Sequence, residues 1–122
     1  MADPRAAGRA PQSAAYEVLN LYTVGGGVAG ASANDPATGS SAYGAWRKTE
    51  NRQFQITFVA FTFDRVTGQT TGRLKVQARA TLSDDDRTLS GPARVSIYST
   101  SGSLIVQVPT AFSGTRIAVE PV

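Results

Sequence analysis

The sequence predicts an all-β protein, an antiparallel up-and-down meander forming a closed or nearly closed barrel. Three observations predict it. Arg73 to Leu82 alternates strictly, with Leu74, Val76, Ala78, Ala80 and Leu82 on one side and Arg73, Lys75, Gln77, Arg79 and Thr81 on the other, the period of a half-buried antiparallel strand. Short runs rich in β-branched and aromatic residues recur along the chain, separated by glycine, proline, asparagine and aspartate. No segment sustains the 3.6-residue apolar period of a helix.

The first fifteen residues, punctuated by Pro4, Gly8 and Pro11, carry no periodicity and are expected to form a flexible tail. Residues 16–122 are expected to form one domain. Tyr16 to Thr23 is the first strand, Gly25-Gly26-Gly27 a reversal and Val28 to Ser32 its partner. Ala33 to Ala42 is the longest irregular stretch of the body and a connection or a gate. Tyr43 to Thr49 and Gln53 to Asp64 follow. In the latter, Phe54, Ile56 and Phe58 share one side, whereas Val59, Phe61 and Phe63 share the other. Such a parity switch implies a β-bulge near Phe58 to Ala60, or burial on both sides. Ser83-Asp84-Asp85-Asp86 is a polar turn. Ala93, Val95 and Ile97 form the next inward side, with Pro92 implying an edge position or a bulge. Leu104, Val106 and Val108 open the last strand, which Pro109 is expected to bend and Gly114 to Ile117 to close.

Composition excludes several chemistries. The chain of 122 residues has no cysteine and no histidine. Disulfides, thiolate or histidine zinc sites, cysteine nucleophiles and Ser-His-Asp triads are therefore impossible. No cofactor is expected. The Asp84–Asp86 triplet lacks the spacing of a calcium loop and reads as turn chemistry. Net charge is +3 with a pI near 9.7, a mild attraction for anions. The basic stripe of Arg73, Lys75 and Arg79, extended by Arg94, suits a solvated outer wall. Nucleic-acid binding is not expected, because exposed aromatics are read as absent from that side. No run approaches the roughly 20 apolar residues of a membrane span, and the N-terminal stretch has no secretory h-region. No membrane association is expected, and the location expected is cytoplasmic.

The run Tyr43-Gly44-Ala45-Trp46-Arg47-Lys48-Thr49, the segment Phe54 to Asp64, the Thr81-Leu82-Ser83 corner and Gly114-Thr115-Arg116-Ile117 together resemble a family of small, mostly uncharacterised bacterial proteins with a calycin-like (lipocalin-type) β-barrel. The resemblance spans roughly residues 16 to 118. It implies an internal pocket and no particular reaction. Lipocalins carry Gly-x-Trp on their first strand, whereas Gly44-Ala45-Trp46 lies mid-chain, so that role is not carried across. Relatives begin with an extra strand before the segment matching Tyr16 to Thr23. Without it a seam opens between first and last strands, from which a homodimer is expected.

The aromatic set Tyr22, Trp46, Phe54, Phe58, Tyr98 and Phe112 is the expected pocket lining. Trp46 serves either as a ligand platform or as a core plug. Glu17 shares a strand side with Leu19 and Leu21 and is the best catalytic candidate if that side is internal; otherwise it is a solvated edge carboxylate. Three functions remain open: a barrel binding a small apolar or amphipathic molecule, a cofactor-free isomerase or cyclase acting by pocket shape with one Glu or Tyr, and a filled barrel with a structural or interaction role.

Overall fold

The protein is described by a computed structural model over residues 16–122; the expected tail of residues 1–15 lies outside the described residues. Seven antiparallel strands follow one another: β1 (Val18–Tyr22), β2 (Gly27–Ser32), β3 (Ala42–Glu50), β4 (Gln53–Phe63), β5 (Thr70–Leu82), β6 (Thr88–Tyr98) and β7 (Leu104–Thr115). Their spatial order is their sequence order. No helix is present among the described residues. The sheet curls into a half-barrel, and its end strands β1 and β7 are not paired with each other.

One register row crosses the whole sheet: Tyr22, Val28, Gly44, Phe58, Val76, Val95 and Val108 stand side by side. This is the concave face. Its buried residues are Val28, Ile56, Phe58, Val76, Ala78 and Ala80, with Ile56 only 2% exposed. Tyr22, Trp46, Leu74, Leu89, Val95 and Phe112 pack against them. Among the described residues no second layer covers this face, and curvature brings their apolar side chains into contact. Gly44 marks the tightest approach: a Cβ there would lie 1.8 Å from the Thr57 carbonyl oxygen. A larger residue would push β3 off β4.

The parity switch in β4 is resolved without the central bulge. Pairing of β4 with β5 runs in unbroken register from Gln53 to Thr62, and the shift comes only between Thr62 and Phe63. Val59 and Phe61 therefore lie on the convex face, and Phe61 is 51% exposed. Pro92 sits in an inner strand rather than at an edge. The β5–β6 ladder lapses there, holding at Ala78–Ala93 and resuming at Thr81–Ser90. Pro109 does not break β7: Arg94 pairs with it between two regular pairs. A proline missing its N–H is tolerated where that position faces the open side of an edge strand.

Two remote turns are clamped together by one side chain. Arg52, in the β3–β4 turn, has a φ of 64°, which a non-glycine residue rarely adopts. Its guanidinium donates to the carbonyls of Leu82 (3.2 Å) and Ser83 and pairs with the Asp86 carboxylate. Its own carbonyl accepts from the Leu82 N–H at 2.7 Å. Asp85 completes the turn by accepting from Ser83 Oγ at 2.6 Å and from the Arg87 N–H at 3.1 Å. The triplet is thus turn chemistry, as its spacing implied.

Truncation should separate the two faces. Ile56→Ala should lower the unfolding free energy by about 2–5 kcal/mol, and Leu19→Ala, on the exposed face of β1, should stay within about 0.5 kcal/mol. Urea titration of both variants checks this; equal losses would mean the concave face is not the core.

Candidate functional site

The expected pocket aromatics divide between the faces. Tyr22, Trp46, Phe54, Phe58 and Phe112 all project from concave positions, where Tyr22, Trp46 and Phe112 pack against the buried residues. The Trp46 indole N–H donates to the Thr23 carbonyl at 2.8 Å, and the ring meets Phe54 edge-on at 5.7 Å between centroids. Its polar atom is satisfied by the β1–β2 turn. Tyr98 lies on the opposite, convex face, opposite Arg73 on β5. Alternation with the inward Ala93, Val95 and Ile97 already points Tyr98 outward, and its pairing with Arg73 agrees.

Glu17 precedes β1 and is exposed. Leu19 and Leu21 are 66% and 64% exposed, so the side they share with Glu17 is external. Among the described residues Glu50 is the one acidic residue within any strand, and its register partner Gln53 places it at the convex side of the β3–β4 turn. The concave strand positions thus hold no carboxylate. Their ionisable groups include the Tyr22 phenol, which accepts from Asn20 Nδ2 at 3.1 Å. Burial pushes that phenol above its ordinary value, and the Asn20 hydrogen bond offsets part of the shift. No group of three or more acidic side chains that could hold a metal occurs among the described residues.

Two clefts adjoin the segment between β2 and β3, which is fastened across the end of β4. Gly39 bridges to Thr62, Ser40 N–H donates to the Phe61 carbonyl at 3.0 Å, and Phe63 N–H donates to the Thr38 carbonyl at 2.9 Å. The long connection is therefore a pinned wall. On its concave side lies a cleft of about 230 Å³, whose floor includes Val18, Ala42, Phe58, Ala60 and Leu74 and whose rim includes Asn20, Ser32 and Asn34. On its convex side lies a cleft of about 390 Å³ between Ser40, Ser41, Tyr43, Val59, Phe61 and Arg73. Of the expected aromatics, only Phe58 reaches either cleft.

The convex face corrects the expectation that aromatics are absent beside the basic stripe. Phe61, Arg73, Tyr98 and Leu104 form one register row. Tyr43, Val59, Lys75, Ser96 and Gln107 form the next. The Arg73 guanidinium lies 5.6 Å from the Phe61 ring centroid and Lys75 Nζ lies 5.1 Å from that of Tyr98. The missing signal was cross-strand: Phe61 and Tyr98 sit on the strands that flank the alternating one, and Tyr43 on the strand beyond Phe61. Hydrogen bonding from Lys75 holds the Tyr98 phenol below its ordinary value.

No helix among the described residues is long and apolar enough to cross a membrane. No protein-family model, curated protein or solved structure matches the chain.

The two shifted phenols give a spectroscopic test. Among the four tyrosines, Tyr98 should ionise early and Tyr22 last in an alkaline ultraviolet titration. Tyr22→Phe should delete the late step and Tyr98→Phe the early one. A phenol raised by burial contributes stability below its unfolded value of about 10, and that contribution is lost as pH rises through the folded value. Thermal melts of wild type should therefore lose a Tyr22-dependent contribution only above pH 10.

Proposed function

We propose that the protein is a binding module for a small amphipathic molecule, held at the open end of the half-barrel. The observation that carries this reading is the cleft of about 230 Å³ against the pinned 34–40 wall, with an apolar floor and a polar rim of Asn20, Ser32 and Asn34. Apolar surface with a few placed polar groups is the composition of small-molecule sites. The volume lies just below the about 300–1,000 Å³ of drug-sized pockets, so the ligand is small. Deeper in the half-barrel, Trp46, Tyr22 and Phe112 fill the curve, which confines the ligand to the mouth. The binding reading is favoured over a shape-driven isomerase because the concave strand positions offer no carboxylate and the Tyr22 hydroxyl is engaged by Asn20.

A second reading concerns the assembled form. We infer that the binding unit is a homodimer joined through an open sheet edge. β7 is twelve residues long, unpaired on one side among the described residues and free of charged residues, and Leu104, Ile105 and Val106 are exposed on it. Edge strands are normally blunted by charge, proline or a bulge. Among the described residues Pro109 and the shift beside Ile97 are the only such devices on this edge.

Native mass spectrometry of gently purified protein tests both readings. An adduct lost on denaturation, and lost in Ala42→Leu, supports the mouth site; an apo mass with no thermal shift across a panel of small amphipathic compounds overturns it. A dimer that Ile105→Lys converts to monomer supports edge pairing, whereas a wild-type monomer at all concentrations overturns it.

A further inference from the structure

The convex face carries a second surface, independent of the mouth cleft. We propose that it binds single-stranded nucleic acid, with bases on Tyr43, Phe61 and Tyr98 and the phosphate backbone on the flanking cations. Arg47, Arg73, Lys75, Arg79 and Arg94 all project from this face of β3, β5 and β6. None of the five takes part in an ion pair among the described residues. Their side-chain partners are neutral instead: Arg47 donates to Gln55 Oε1 at 2.9 Å and Arg94 to Gln77 Oε1 at 3.3 Å. Glutamine positions the guanidinium without neutralising its charge. The register rows that hold Tyr43, Phe61 and Tyr98 contain no aspartate or glutamate.

The aromatics supply what a merely charged wall lacks. Tyr43 is 67% exposed, and with Phe61 it walls the 390 Å³ cleft whose third side is Arg73. Tyr43 pairs with Val59, so Phe61 two residues on is its diagonal neighbour, a separation of roughly 7–8 Å between backbones. Tyr98 lies two strands from Phe61 along the same row, about 10 Å away. Three rings spread over a sheet, interleaved with cations that have no acidic partner among the described residues, form the stacking platform and electrostatic track of sequence-tolerant single-strand binders. A duplex fits this face poorly, since its bases are already stacked and paired and leave the rings nothing to hold. An acidic peptide would use the cations and leave the rings idle.

Fluorescence anisotropy of labelled oligo(dT) and oligo(U) against the full chain tests the proposal. Binding at low salt is expected, with log affinity falling linearly in log salt. Tyr43→Ala and Phe61→Ala should each weaken binding about 5- to 150-fold. Arg73→Gln and Lys75→Gln should each reduce the salt slope by about one. Heparin, which has no bases, should show the salt dependence and no response to the aromatic substitutions. Should a variant fail to fold, amide shifts in the wild-type protein carry the same test, and they should cluster on Tyr43, Phe61, Arg73 and Tyr98. No binding at low salt, binding indifferent to the aromatics, shifts confined to the concave face, or binding to anionic vesicles without oligonucleotide binding would each overturn it.

Discussion

A single sheet has to cover its own apolar face. Nothing else in the described chain does so, because there is no helix and no second sheet. Curling is the remaining route, and the row from Tyr22 to Val108 shows how it works. Side chains from strands apart in order are brought over the same centre, so Val28 on β2 and Val76 on β5 are both buried. Small residues where curvature is tight, Gly44 on β3 and Ala78 and Ala80 on β5, let neighbours approach. The layer is thin, and burial is complete only over β2, β4 and β5. At the mouth, where β1 is short, the same curvature leaves the amphipathic cleft.

The convex face follows from that constraint. Apolar side chains occupy the concave side, so the opposite positions are free to carry other chemistry. From β5 onward they carry arginine, lysine, glutamine and serine. Nearer β1 they carry Leu19, Leu21, Tyr43, Val59 and Phe61. The two halves meet along β4 and β5, where Phe61 and Arg73 face each other. Ser96, fully buried although it faces outward, is roofed by this polar layer and accepts from Gln107 Nε2 at 3.0 Å. The face is thus ordered by cross-strand contacts as well as solvated.

Much of the fold was legible in the residues. The alternation in Arg73 to Leu82 assigns each of those ten β5 side chains to the correct face, and the glycine and aspartate clusters mark the reversals. What the residues left open was relational. Val59 and Phe61 break the parity of β4, and no local signal distinguishes a bulge from an outward apolar pair; the register with β5 decides it. Tyr98 belongs with the cations because it stands opposite Arg73, a fact held in pairing rather than in either strand. Trp46 was legible as either platform or plug, and its indole N–H is held by a carbonyl twenty-three residues away, a contact the sequence does not show. Closure was the least legible feature. It depends on whether the first and last strands meet, and neither strand's sequence encodes the distance between them.

The order β1-β2-β3-β4-β5-β6-β7 has a kinetic consequence. Every ladder in the sheet joins sequence neighbours through a short turn or one pinned connection. Among the described strands no pairing waits for distant segments to find each other, so the entropy of closing a long loop does not enter the barrier to forming this sheet. Such a sheet can nucleate at one hairpin and add strands outward. The Arg52 clamp, which ties the β3–β4 turn to the β5–β6 turn, spans the central four strands and marks the natural place to start. Folding should therefore be fast for an all-β chain, with the central strands protected from hydrogen exchange before β1 and β7.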